Sequence, residues 1–569
     1  MKRIIAYLLA VFMLASVVLS CVSCDISSIL GELLEDPELD AEDTVKDNYD
    51  MDDESDNEAD EETTKKSNKT EEKTQPVYTE ESIQKPIETY EDTSICYGEE
   101  TTEWLPPVDW ETDSDYWETY PPYETDAPVE PPVDLPVEPA LPDYNLDFTG
   151  EELDILMQNI NAANSNRYFV PNEFISNVIS ARSADRDNYV QEALNIHICY
   201  NLYNNRNEGD SEMQNSILVG LPYDVYATAN NADISLLATQ GYLMDIAELP
   251  YVNLDASYWN TSVMDDLTFD GQYFAGVGDM MMPDIEVMVF NKMIFERYGF
   301  SPEELYEKVY NGTWTLEVLY HYSTALHRDL NGDGIADIND QLGIVGTKSL
   351  SFIDLVYASD IRLSEKNPDS DYHQLVDLSN SQRATALMDY LKGICTDRSA
   401  YFTSQTQLTT QLQSGSAAFV LTKISQLYLC EDADYDFGIL PMPKFEMDQA
   451  EYTSLYRGGM LCVPYNVENY DMVGAALEYL QAYSTGIFDE YCMHYLRSEV
   501  DMEMIKIATD NTVGEFMYVY AYNQAHVMNY INHMYNEVVV GGTNIEAYYD
   551  QYSLIVISLL RELQLPKKH

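Results

Sequence analysis

The stretch from Val287 to Val345 constrains the fold most, because a buried strand, helical segments and an acidic loop follow one another in it with almost no connecting residues. The loop runs Asp329-Leu330-Asn331-Gly332-Asp333-Gly334-Ile335-Ala336-Asp337-Ile338-Asn339-Asp340. Asp329, Asn331, Asp333, Asp337 and Asp340 place side-chain oxygens at its positions 1, 3, 5, 9 and 12, Gly334 supplies the sharp turn at position 6, and Ile335 offers a backbone carbonyl at position 7. This spacing lets a short loop wrap an oxygen cage around Ca2+. The competing reading is a solvated Asn-Gly/Asp-Gly turn. Thr315 to His327 has helical periodicity and ends at the loop, whereas Leu342-Gly343-Ile344-Val345 is a short apolar run of strand type. With a strand in place of a second helix, and an aspartate in place of the longer glutamate at position 12, the expected role is a structural clamp and not a sensor that opens a helix pair.

The ends of the chain are of a different kind. Met1 to Ser20 carries Lys2 and Arg3 ahead of the apolar run Ile4 to Leu19, the pattern of a secretory signal peptide. Small residues precede cysteine in Val18-Leu19-Ser20-Cys21 and again in Cys21-Val22-Ser23-Cys24. Both resemble the lipobox of bacterial lipoproteins, with Cys24 favoured for lipidation and Cys21 its rival. Residues 1–24 are therefore expected to direct the chain to the extracellular face of the cell membrane and anchor it there.

Residues 25–143 hold 39 acidic residues against six lysines, a net charge of −33 out of −69 for the chain. With little apolar periodicity and many prolines beyond position 100, this segment is expected to be a disordered acidic tether. As a flexible coil it would reach roughly 60 Å. Trp104, Trp110 and Trp117 lie inside it among imperfect acidic repeats, which leaves open a motif for a surface partner and with it a wall-associated adhesion module. So negative a chain repels phosphate backbones, which excludes nucleic acid as a partner. Cysteines occur at 96, 199, 395, 430, 462 and 492 without close pairs; Cys199, Cys430 and Cys462 sit in apolar surroundings, as buried small hydrophobes do.

Residues 144–569 alternate short apolar runs with helical patterns, which argues for an α/β fold with buried strands and a helical C-terminal region. Glu151 to Ala163 has helical spacing. Strands are expected at Ile196–Tyr200, Tyr223–Ala227, Ile285–Phe290, Ala417–Leu421, Phe437–Leu440 and Met460–Val463, with a hairpin turn at Asp270-Gly271. Helices are expected at Gln382–Cys395, Ser404–Gln413, Val473–Tyr483, Asp489–Leu496, Met502–Thr509, Phe516–Tyr535 and Asn544–Leu563.

Six stretches in order carry a family likeness: Pro222-Tyr223-Asp224-Val225, Gly241-Tyr242-Leu243-Met244-Asp245-Ile246, Val289-Phe290-Asn291-Lys292, Gly312-Thr313-Trp314-Thr315, the acidic loop with Gln341-Leu342-Gly343, and Phe437-Gly438-Ile439-Leu440-Pro441-Met442-Pro443. Together, from about Ala193 to Tyr483, the chain resembles the extracellular solute-binding proteins of carbohydrate ABC importers, the maltose-binding-like group. The resemblance implies a two-lobed periplasmic-binding-protein-like fold of type II, with a crossover hinge. One lobe would comprise about 145–284 and 440–490, the other about 287–436 and part of 491–569, with crossovers near 283–287 and 435–443. It also implies capture of an oligosaccharide or related small solute between the lobes, and partners in ABC permease subunits with a cytoplasmic ATPase.

By the same resemblance, Tyr226, Thr228, Asn230 and Asn231 follow a cleft-facing strand, Asp284 and Glu286 fall at the crossover, and Lys423 and Arg457 face the cleft. Asn230 and Asn231 would serve equally as helix caps, and Asp284 and Glu286 as solvated hinge residues. Trp314 and Trp259 read as core anchors. A glycoside-active enzyme would need two carboxylates flanking a bond. With 99 acidic residues some pair is always close, and no nucleophile elbow, zinc motif or phosphate loop appears, which favours binding without catalysis.

Overall fold

The computed structural model describes residues 141, 144–158, 167–171, 177–203, 206–228, 234–396, 399–431, 433–520 and 530–564. All of these belong to one compact unit; the expected signal peptide, lipobox and, apart from Leu141, the expected tether lie outside the described residues.

Thirteen strands are present among the described residues: β1 (Glu151–Gln158), β2 (Ile196–Tyr203), β3 (Val225–Thr228), β4 (Glu286–Asn291), β5 (Leu342–Thr347), β6 (Ser364–Lys366), β7 (His373–Leu375), β8 (Ala400–Thr403), β9 (Ala417–Lys423), β10 (Phe437–Leu440), β11 (Ser454–Leu455), β12 (Met460–Cys462) and β13 (Thr512–Val513). They build two principal sheets, ordered β12-β3-β1-β2 and β10-β4-β9-β5-β8, and each is the centre of one lobe of an α/β fold.

In the first sheet β1 lies parallel between β2 and β3, with Asp154 opposite Cys199 and Ile155 opposite Val225. The helix expected over Glu151 to Ala163 is therefore a strand. Leu153 to Met157 is buried on both faces, and the short apolar run Ile155-Leu156-Met157 has no period that distinguishes strand from helix. Helix Asn177–Leu194 packs on β2 and on helix Tyr470–Ala482, and helix Arg206–Leu218 packs on β1.

The second sheet mixes directions: β4 is antiparallel to β9 and to β10, while β5 is parallel to β8 and β9. Helix Leu316–Leu326 lies so close to β5 that a Cβ at Gly343 would come within 2.4 Å of Ser323 O and 2.5 Å of Ser399 O, so only glycine fits there. Trp314 anchors this lobe, fully buried, its indole N–H donating to Pro441 O at 2.9 Å. Trp259 does the same in the first lobe by donating to Glu478 at 3.0 Å.

The chain leaves the first lobe at Asp284. Its return was expected near 435–443, but Phe437–Leu440 is the edge strand β10 of the second sheet, pairing with β4. The return comes later, at 454–457, where β11 pairs with β13 and Arg457 N–H donates to Asp284 O at 3.0 Å. Of the C-terminal region, helix Glu499–Asp510 packs on β10, where Asp501 accepts from Ile439 N–H and Tyr306 O–H; helix Ile545–Gln564 packs on β7 and on helix Gln382–Thr396. Part of the expected Phe516–Tyr535 helix is present as Phe516–Tyr520, and its middle lies outside the described residues. Cys430, Cys462 and Cys492 are buried free thiols, Cys430 and Cys462 as their neighbours suggested, whereas Cys199, like Cys395, is only half-buried.

Candidate solute site at the crossover

In sheets with parallel strands, ligands settle outside the carboxyl ends of those strands, where loops and unpaired backbone groups converge. In the first lobe these ends are Gln158, Tyr203 and Thr228; in the second they are Thr347, Thr403 and Lys423. Because β4 runs antiparallel to β9, its first residue, Glu286, lies opposite Lys423 at that same edge.

Four of the residues singled out in the sequence meet there. Lys423 Nζ donates to Asp284 Oδ2 at 2.9 Å, and Ser425 N–H donates to Asp284 Oδ1 at 3.2 Å. Arg457 Nη2 donates to Glu286 Oε2 at 2.7 Å. Two unforeseen residues complete the cluster: Asp354, whose Oδ2 lies 2.5 Å from the same Arg457 Nη2, and Ser351, which donates to Glu286 Oε1 at 2.6 Å. The side chains of Arg457, Glu286, Asp354 and Asp284 are at most 3% exposed.

Burial sets the electrostatics of this cluster. It would raise Asp284, but the Lys423 ammonium, then the Ser425 N–H, overcome it and hold the carboxyl below the usual carboxylate range. Burial pulls Lys423 down to about 8 against the attraction of Asp284. At Asp354 burial wins: the carboxyl stands well above its ordinary value despite Arg457, and the charge of Glu286 adds to the rise. Arg457 Nε and Nη1 are buried and have no hydrogen-bond partner among the described residues. A buried guanidinium donor left unpaired is costly, and an incoming hydroxyl or carbonyl oxygen removes that cost. Arg167 adds a further positive charge acting on Asp284 and Lys423, and reaches Gln158 at 3.5 Å.

The remaining nominated residues fall elsewhere. Tyr226 on β3 is fully buried and donates to Asp210 at 2.5 Å, a contact inside the first lobe. Thr228, also buried, ends β3 at the carboxyl edge, where its carbonyl accepts from the Tyr168 hydroxyl. Asn230 and Asn231 lie outside the described residues. The sequence did hold a signal for Asp354: it is the sole acid of helix Lys348–Ala358, in the run Phe352-Ile353-Asp354-Leu355-Val356, where an unpaired charge has no solvated place.

The acidic loop is apart from this cluster. Asp329 accepts from Gly332 N–H at 2.6 Å and Gly334 N–H at 2.9 Å, Asn331 from Asp333 N–H at 3.0 Å, and Asp333 from Ile335 N–H at 2.7 Å. Buried Asp340 accepts from Leu330 N–H at 3.0 Å and Asp337 N–H at 3.3 Å, closing the loop end to end. Gly332 and Gly334 take positive φ of 76° and 70°. The chemistry of the donor set, oxygen throughout, suits a hard cation.

A two-lobed α/β molecule with crossovers between its sheets has the architecture of the periplasmic-binding-like fold. Residues 205–486 match the family model of bacterial extracellular solute-binding proteins. Among solved structures, the cyclic α-maltosyl-1,6-maltose binding protein of Arthrobacter globiformis is similar at 12% identity and TM-score 0.52, with 73% of this chain and 100% of that chain covered. The galacto-N-biose/lacto-N-biose I-binding protein of an ABC transporter from Bifidobacterium longum, in complex with lacto-N-biose, is similar at 10% identity and TM-score 0.52, covering 74% and 99%. A binding protein from Mycobacterium tuberculosis in complex with glycerophosphocholine matches at 13% identity and TM-score 0.50, covering 73% and 100%. At these identities the likeness bears on the fold. No curated protein sequence matches significantly.

Proposed function

We propose that the chain is the extracellular binding component of a carbohydrate ABC importer, capturing an oligosaccharide or related small solute between its lobes and handing it unaltered to permease subunits driven by a cytoplasmic ATPase. The observation that carries this reading is Arg457, held at the crossover by Glu286 and Asp354 while its Nε and Nη1 donors remain unpartnered among the described residues. Asp284 and Lys423 complete a set of donors and acceptors suited to hydroxyl-rich ligands. Two of the similar structures are named for oligosaccharide binding, which supports the same class of solute here. Lipidation at Cys24, with Cys21 as the alternative, would hold the protein at the extracellular face of the cell membrane; no helix among the described residues is long and apolar enough to cross one.

Calorimetric titration of the protein with a panel of oligosaccharides, followed by chromatography of the recovered sugars, tests this. Saturable binding with every sugar recovered intact is expected. Cleavage of a glycosidic bond would overturn the binding-only reading, and failure to bind any member would overturn the solute class.

We further infer that Asp329, Asn331, Asp333, Asp337, Asp340 and the Ile335 carbonyl hold Ca2+ as a structural clamp between helix Leu316–Leu326 and β5. Its support is the ligand spacing together with the loop's own N–H groups, which already orient the Asp329, Asn331, Asp333 and Asp340 side chains.

A further inference from the structure

The crossover cluster has an unequal charge count. One guanidinium, Arg457, lies between two carboxyl groups, Glu286 at 2.7 Å and Asp354 at 2.5 Å, and all three side chains are nearly sealed from water. A dry site with one positive charge balances one carboxylate; a second would be a buried uncompensated charge, which costs more than holding a proton does near neutral pH. Ser351 donates to Glu286 and Arg457 bonds it, so Glu286 is the better stabilised anion. Asp354 meets Arg457 Nη2 at 2.5 Å, has no further donor to either oxygen among the described residues, and lies within hydrogen-bond reach of Glu286, a contact between two carboxyl groups that needs a proton on one of them, which leaves Asp354 as the group to carry it.

We propose that Asp354 is a neutral acid in the assembled crossover site, and that capture of solute takes up one proton there, released again when the lobes separate and water enters. This rests on reading the chain as a hinged solute-binding protein. Glu286 opens β4 and Asp354 lies on helix Lys348–Ala358, both in the second lobe, and Arg457 reaches this acid pair from the return crossover, where the two lobes join. The other charged or titratable groups acting on the cluster are Lys423 at the end of β9, Asp284 before β4, Arg167, which acts on those two, and Tyr518 of helix Phe516–Tyr520. Lys423 and Asp284 neutralise each other at 2.9 Å, Arg167 acts on that pair, and a buried tyrosine is uncharged, so among the described residues the ion pairs of Glu286 and Asp354 are with Arg457. Burial, with Glu286 beside it, holds the Asp354 carboxyl well above the ordinary range, the direction the charge count requires.

The sign follows from linkage. An acid whose pKa is higher in the assembled site than in the opened one favours assembly at low pH, and that advantage is lost as pH rises through the higher value. Solute affinity is therefore expected to fall with rising pH, by at most about tenfold per pH unit for a single proton.

The test is calorimetric titration of the full chain with lacto-N-biose, cyclic maltosyl-maltose and further neutral di- to tetrasaccharides, between about pH 5.5 and 7.0, a window chosen below Lys423, which burial lowers to about 8. Each titration is run in phosphate and in an amine buffer, whose different ionisation heats reveal proton uptake directly in the wild-type protein. About one proton taken up per sugar bound, and lost in Asp354→Asn whatever its affinity, is expected. Glu515→Gln is the control, since Glu515 is another buried acid, raised to about 8, that lies outside this cluster. Binding without proton uptake, uptake that persists in Asp354→Asn, or uptake that disappears in Glu515→Gln overturns the inference alone. Failure of every sugar to bind overturns the function and the inference together.

Discussion

Arg457 is the residue on which the crossover depends, and its removal tests that dependence. Arg457→Ala strands Glu286 and Asp354 beside each other in a dry site, which should cost about 3–5 kcal/mol of stability. Urea denaturation reads this, and a loss below about 1 kcal/mol would show that the cluster is open to water. A second residue makes a pH prediction. His373 stacks on Phe516 at 4.1 Å, its Nε2 lies 3.0 Å from Thr268 O, and burial lowers it to about 4. A histidine lowered from its usual value near 6.5 supports stability above that value and loses the support as pH falls toward 4, in total about 3 kcal/mol. His373→Phe keeps the stacking and should flatten the loss between about pH 6.5 and 4 in thermal melts; an unchanged acid limb would assign the titration elsewhere. At this scale Trp314 and Trp259 were legible as anchors and Asp284 and Glu286 as crossover residues, whereas Lys423 and Arg457, read as cleft-facing by resemblance, lie in the same cluster. Asp354 was not singled out, because a lone acid in a helical pattern shows its meaning only beside the arginine it meets, about a hundred residues on.

Among the elements, the acidic loop is the one whose geometry is written most fully in local sequence. Asp329 and Asp333 each turn the backbone by accepting loop N–H groups, so their alanine variants remove both turn contacts and cation ligands. Variants D329A and D333A should melt about 2–8 °C lower in millimolar calcium, with a smaller difference in chelator. An equal loss in both conditions would reduce the loop to its turns. The hairpin at Asp270-Gly271 was legible for the same reason: Asp270 and Gly271 have φ of 52° and 75°, the positive pair that a tight two-residue turn requires. β1 was not legible. Glu151, Glu152 and Asp154 ahead of an apolar run imitate a helix start, and what makes the segment a strand is pairing with β2 and β3, whose residues lie some 40 and 70 positions further along.

For the whole molecule, the six ordered stretches that carry the family resemblance implied the two-lobed class while misplacing the return crossover. Phe437–Leu440 turned out to close the second sheet beside β4, a pairing that only the finished topology reveals. The same separation between local pattern and assembled molecule governs residues 1–143. The folding unit that holds all described residues is stabilised by its two sheets and their helices, and residues 25–143 contribute −33 of the net charge without a periodic apolar face to bury. Removing residues 1–143 should therefore leave thermal stability and sugar affinity unchanged within about 0.5 kcal/mol at physiological salt, where charges beyond roughly 8 Å are screened. At about 0.01 M salt the screening length grows to about 30 Å, and the truncated protein should then be the more stable of the two, because the remainder is itself strongly acidic. Paired calorimetric melts at the two salt concentrations decide it. A truncated protein that melts lower at physiological salt would mean that the acidic segment packs on the lobes, and the reading of that segment as a tether would fall.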